Sequence, residues 1–242
     1  MIGRFHELSL ATRDIRATAE FYEALRFTHA TTNDTWPHPY GVLTDGDLCI
    51  GIHGRVMPSP ALSFVLPGLA HHVRALEALQ IPISARHLGD EEFNTLDFAD
   101  PGGQAVRLIE ARTYSPLDRE QAGDSLCGRF DALSLPERDP ESAAQFWQRL
   151  GFKLQSSEER PWPYARLEGA GLRLELHRSR TTDLPVLIFR ASEMDARIQA
   201  IRSLGLESEG PLPRGLDPRN NLLLETPEGI ALLLLGSETR AG

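Results

Sequence analysis

The sequence predicts an α+β fold built from four βαβββ modules, on three observations. Residues 5–25, FHELSLATRDIRATAEFYEAL, return 125 positions later as residues 130–150, FDALSLPERDPESAAQFWQRL. In both stretches a run of period two, that of a half-buried strand, gives way to an Asp followed by apolar residues at helical spacing. Later landmarks keep the same offset, between 124 and 126: Trp36-Pro37 returns as Trp162-Pro163, Tyr40 as Tyr164, and Pro101-x-Gly103 as Pro227-x-Gly229. A repeat that long fixes the number of modules before any single motif is weighed. It divides the 242 residues into a half at 1–114, a linker at 115–126 and a second half at 127–240. The linking stretch, RTYSPLDREQAGDS, is polar and carries Pro and Gly, as connecting segments do.

The elements follow in order. Leu8, Leu10 and Thr12 alternate with Glu7, Ser9 and Ala11, which predicts a strand. Asp14 is the cap of a helix whose Ile15, Thr18, Ala19, Tyr22 and Leu25 share a face. The corresponding start at Asp139 adds Pro140 at the first helical position and Glu141 in the first turn, both favourable there. Three strands should follow the first helix, over 27–33, 40–44 and 48–53. The second quarter restarts with ALSFVL (61–66), a helix over 69–79, and strands over 81–86, 93–100 and 104–111. The last quarter repeats the plan with PVLIFR, a helix over about 192–204, NLLLET and GIALLLLG.

Composition narrows the partners. A formal net charge of -9, with the acids dispersed, disfavours a phosphate-backbone partner, so no nucleic acid is expected. The longest apolar run, Ile230 to Gly236, is too short to span a bilayer and reads as a buried strand, so no membrane is expected either. Cys49 and Cys127 stand in no CxxC spacing, and the first ten residues lack the basic and apolar segments of a secretory signal. The expectation is a cytoplasmic protein with reduced thiols.

With RDIRATAEFYEALRF and RDPESAAQFWQRLGF after the first strand of each half, and DPGGQAVRLIE and TPEGIALLLLG at the end of each, the chain resembles the vicinal-oxygen-chelate superfamily. That superfamily includes glyoxalase I, bleomycin-resistance proteins, fosfomycin-inactivating enzymes and extradiol dioxygenases. The resemblance implies modules paired into two open, cup-shaped, eight-stranded mixed sheets with helices outside and a ligand on the concave face. It also implies a fused version of the usual homodimer, present as a monomeric pseudo-dimer or as a further homodimer.

Metal-using relatives place His, Gln or Glu at four cup-facing positions. The resemblance carries these to Glu7, Gly51, Ala61 and Arg107 in the first half, and to Ala132, Glu175, Val186 and Leu233 in the second. A transition-metal site needs three or four converging N, O or S donors. Gly, Ala, Val and Leu offer none, and a guanidinium about 4 Å from a divalent ion costs on the order of 8 kcal/mol at an effective dielectric near 20. Exchanging modules between halves still leaves one carboxylate per cup, so no metal and no cofactor are expected. Parity sends His6 away from the cup and brings His53 and His177 into it.

Arg107 is expected to pair with Glu7, either as a structural salt bridge where relatives hold an ion or as an anchor for an anionic ligand group. The aromatics Trp36, Tyr40, Trp162 and Tyr164 either line a rim for a flat ligand or plug the cup. The candidate ligand-binding set is therefore Glu7, Ser9, Trp36, Tyr40, His53, Arg107, Trp162, Tyr164, Glu175 and His177. Three functions stay open: a metal-free small-molecule binding protein, a lyase or dioxygenase with a rebuilt metal or metal-free acid-base site, and a purely structural pair of sheets.

Overall fold

A computed structural model describes residues 2–32, 36–89, 93–111, 124–158, 160, 162–178, 182–207 and 210–236. The first half opens with β1 (Arg4–Ala11), α1 (Ile15–Ala24), β2 (Thr28–His29), β3 (Tyr40–Thr44) and β4 (Cys49–His53). It continues with β5 (Ala61–Leu66), α2 (Leu69–Ala78), β6 (Ile83–His87), β7 (Thr95–Ala99) and β8 (Ala105–Glu110). The second half begins with β9 (Arg129–Pro136), α3 (Pro140–Arg149), β10 (Lys153–Glu158), β11 (Tyr164–Gly169) and β12 (Leu172–His177). It ends with β13 (Val186–Ala191), α4 (Met194–Ser203), β14 (Asn221–Glu225) and β15 (Ala231–Gly236). Asp14 and Asp139 cap their helices as expected, each side chain accepting from the backbone N–H three residues on.

Modules pair within each half. β1 runs parallel to β4 and antiparallel to β5, which joins the first two modules into an eight-stranded sheet ordered β2-β3-β4-β1-β5-β8-β7-β6. The second sheet, β10-β11-β12-β9-β13-β15-β14, has seven strands rather than the eight expected. Between α4 and β14 the chain carries Pro211, Pro213 and Pro218, which have no N–H to give a ladder, and no strand forms there among the described residues. The strand expected over 27–33 is also cut to Thr28 and His29, with Asn33 outside the described residues. Most of the linker lies outside them too.

The apolar face of each sheet carries the helices. Leu8, Leu10, Ile50, Leu62 and Phe64 of the first sheet belong to one continuous core with Leu133, Leu135, Leu174 and Phe189 of the second, together with Tyr22, Val73, Trp147 and Ile198 from the four helices. Edge-to-face rings cross between the halves, Phe27 on Phe189 at 6.1 Å and Phe64 on Phe152 at 6.4 Å. With those faces committed to the common core, the opposite faces, the cups, hold Glu7, Ser9, His53 and Ser63 in the first sheet and Ser134, Glu175 and His177 beside apolar side chains in the second. Among the described residues, no helix is long and apolar enough to cross a membrane.

Candidate functional site in the two cups

Strand parity places Glu7, Ser9, Gly51, His53, Ser63 and Arg107 on the first cup, but one ladder irregularity changes a neighbour. The β1·β5 register slips between Phe5, opposite Phe64, and Glu7, opposite Ser63. His6 becomes the extra residue of a bulge, and its Nε2 lies 4.0 Å from Glu7 Oε2 instead of on the far face. β9 slips at the equivalent point, with Phe130 opposite Phe189 and Ala132 opposite Ile188, so Asp131 is the extra residue there.

In the first cup Glu7 is the hub and is 1% exposed. Ser9 donates to Oε1 at 2.6 Å, Tyr40 donates its hydroxyl to Oε2 at 2.5 Å, and His53 Nε2 stands 3.0 Å from Oε1. Burial pushes this carboxyl up, but the His53 hydrogen bond, the charges of His6 and His53 and the Ser9 hydroxyl outweigh it and hold it at about 2. Gly51 is small for a reason: a Cβ there would lie 2.1 Å from Glu7 Oε2.

The chain of contacts continues from His53 Nδ1 to His38 Nε2 at 2.9 Å. An ionised Glu7 only accepts, so His53 donates from Nε2; a neutral His53 then accepts at Nδ1 and leaves His38 with its free lone pair on Nδ1. That Nδ1 is buried and has no partner. Burial, then His53, Arg55 and Arg107, push His38 down to about 4. Trp36 closes over the group, its ring 5.2 Å from that of His53 and 4.4 Å from that of Phe93.

Arg107 does not pair with Glu7. It donates Nε and Nη2 to the two oxygens of Asp97, both at 2.7 Å. Asp97 is its direct cross-strand neighbour on β7, whereas Glu7 lies beyond β5. The expected Arg107–Glu7 pair is thus corrected by sheet order.

In the second cup Val186, Ile188, Ala231, Leu233 and Leu235 form an apolar cluster with Trp162 and Tyr164. His177 Nδ1 is 2.7 Å from Ser134 Oγ under the Trp162 ring, and burial pushes His177 down to about 4. Glu175 Oε1 accepts from Arg166 Nη2 at 2.6 Å while Oε2 is buried without a partner. Burial pushes this carboxyl up, with Arg166 working against it. Asp131 binds Arg173, accepts from Arg190 Nε at 2.7 Å and lies 3.6 Å from Arg166 Nη2. A cavity of about 920 Å³ opens beside this cluster, lined among others by Asp131, Tyr164, Arg166, Arg190, Leu216 and Leu235.

The structure thus gathers Glu7, Ser9, Tyr40, His53 and Trp36 at one centre and Tyr164 beside a cavity. Arg107 is held apart by Asp97, and Glu175, His177 and Trp162 are buried at the second cup face. Sequence reasoning left His38 out of the candidate set and missed Asp97, Asp131, Arg166 and Arg190. Setting the halves in register was the available signal for the last three: His6, Val42 and Val65 are their counterparts, and each pair differs in charge.

The positions where relatives hold a metal do not fit one here. Gly51 and Ala61 carry no donor, Arg107 is cationic, and the Glu7 carboxylate is taken by Ser9, Tyr40 and His53. Ala132, Val186 and Leu233 leave Glu175 as the single donor in the second set. Among the described residues no three His, Cys, Asp or Glu side chains form a group that could hold a metal ion.

Solved structures with the same fold include extradiol dioxygenases. Homoprotocatechuate 2,3-dioxygenase from Arthrobacter globiformis superposes with a TM-score of 0.65 at 15% identity, covering 98% of this chain and 80% of that one. An extradiol ring-cleaving dioxygenase from B. fuscum gives 0.63 at 17% identity, covering 96% and 71%. A catechol 2,3-dioxygenase gives 0.59 at 12%, covering 96% and 87%. The paired-module fold of the vicinal-oxygen-chelate proteins is therefore the fold of this chain. Identity this low carries fold and not chemistry. No family model matches the sequence, and no curated protein sequence does.

Proposed function

We propose that this protein binds a small organic molecule in the cup of its second sheet, on a dioxygenase-like scaffold whose metal-ligand positions have been given to other work. The observation that carries this reading is the cavity of about 920 Å³, lined by Tyr164 and Leu235 and by arginines beside them. Its size is that of pockets which take drug-sized ligands, roughly 300–1,000 Å³, and a mixed apolar and polar wall is how such pockets orient a guest. The first cup is the scaffold half of this account, since its central carboxylate, Glu7, is satisfied by Ser9, Tyr40 and His53 under Trp36. Native mass spectrometry of the protein purified without added ligand tests it. A retained organic mass, lost on denaturation, is expected; a bare chain that no compound in a small-molecule library stabilises against heat contradicts it.

A second reading is favoured by one observation, the unpartnered His38 Nδ1 at the end of the Glu7–His53–His38 chain. A proton taken there from a carbon acid shifts along the hydrogen bonds and comes to rest on His53 beside the Glu7 carboxylate. This is metal-free proton transfer of glyoxalase type. Chelator-treated protein that exchanges the α-hydrogen of a 2-oxoaldehyde hemithioacetal in heavy water, with the exchange abolished in E7Q, would establish it. No exchange above the buffer rate would remove it.

A further inference from the structure

We propose that the second cup is built for an organic carboxylate, which rests on the small-molecule reading above and narrows it to an anionic ligand. Three guanidinium groups, Arg166, Arg173 and Arg190, are organised by two carboxylates, Asp131 and Glu175. Three cations against two anions leave one positive charge in excess, on a chain whose overall formal charge is -9. The rim of the cavity does not reduce this difference, since Arg160 and Arg214 line it with Glu158 and Asp217, and Asp217 is held by Arg219.

The arginines are also held by one edge only. Arg190 is fixed through Nε and Arg166 through Nη2, and Arg166 Nε is buried with no partner. Glu175 Oε2, on the other half of that pair, is buried without a partner as well, so the free N–H groups at the cavity are those of Arg190, whose side chain lines it and is 40% exposed. A planar fork with free N–H groups, already fixed in place, is the geometry that takes a carboxylate.

The fold does not require this cluster. Arg166 faces Glu175 across β11 and β12, and the same rung in the first sheet is Val42 facing Gly51. Arg190 faces Arg129 across β13 and β9, and the same rung in the first sheet is Val65 facing Arg4. At Val42, Gly51 and Val65 the first sheet carries small or apolar residues where the second carries Arg166, Glu175 and Arg190, so these charges serve the second cup itself. The rest of the cavity wall, Tyr164, Leu216 and Leu235, suits an apolar body attached to the anion. One excess charge matches a monoanion, which favours a carboxylate over a phosphate dianion.

Calorimetric titration of the 242-residue chain tests this with 4-phenylbutanoate and 2-naphthoate, each against its neutral primary amide, and with inorganic phosphate. The carboxylates are expected to bind about tenfold more tightly than their amides, the difference one charge-assisted hydrogen bond supplies. Phosphate is expected not to displace them. Arg190→Val, which installs the first sheet's residue, should weaken carboxylate binding about tenfold while leaving the amide affinity and melting temperature in place. Arg166→Gln, which keeps a donor for Glu175, gives the same readout independently should the first variant fold poorly. Amides that bind as well as carboxylates, or variants that bind carboxylates unchanged, overturn the anion assignment and leave the small-molecule reading standing. Phosphate that competes equally overturns the organic ligand. No binding by any probe to folded protein removes the proposal and counts against the reading beneath it.

Discussion

Glu7 shows how one residue sets the character of a cup. A fully buried carboxylate is costly unless both oxygens are hydrogen-bonded, and here Ser9 and His53 serve Oε1 and Tyr40 serves Oε2. The space it needs is taken from Gly51, whose missing Cβ would otherwise sit 2.1 Å from Oε2. Gly51→Ala must therefore push the carboxylate off its donors, and a loss of about 2–3 kcal/mol is expected in denaturant unfolding. Glu7→Ala opens the space, so adding Gly51→Ala in that background should cost much less than it does alone. Equal costs in both backgrounds would show that Gly51 and Glu7 do not share the space.

At the scale of elements, the sequence was readable where the signal is local. Tyr40–Thr44 and Ala61–Leu66 begin and end where alternation and turn residues put them, and Asp14 and Asp139 cap the helices they precede. What was not readable depends on the neighbouring strand. The bulges at His6 and Asp131 are one-residue slips against β5 and β13, invisible to a count of parity along a single strand. The partner of Arg107 was misjudged for the same reason. Asp97 and Glu7 both carry the required charge, and only the order β1-β5-β8-β7 puts Asp97 adjacent. Glu7, Ser9 and His53 were found because period two fixes their face. The arginines of the second cup were missed because a charged residue in a strand reads as a solvated face until the facing rung is known.

Over the whole molecule, the two sheets are joined through a shared core and a polar contact that titrates. The Trp147 indole donates to Asp100 Oδ2 at 3.3 Å across the halves, and Glu137 lies against Gly102 of the same turn. Burial pushes Glu137 up to about 8, and the adjacent Asp100 carboxylate adds to the effect. An unfolded Glu titrates near about 4.3, so between there and about 8 the folded chain holds a proton that the unfolded chain has lost. Stability from this contact is complete below that window and declines as pH rises through it. Glu137→Gln, permanently neutral, should flatten this decline in melts taken from pH 5 to pH 8; identical pH slopes in the two proteins would contradict the assignment.

On a scaffold that it shares with extradiol dioxygenases, this chain carries hydrogen-bonded, cationic and apolar side chains at the positions that the family resemblance assigns to metal ligands. Elemental analysis of protein expressed in metal-replete medium and purified without chelator tests it most directly. Zinc, iron, manganese and nickel far below one per chain are the result this account predicts. A transition metal retained in stoichiometric amount, and lost on substituting Glu7 or Glu175, would contradict it.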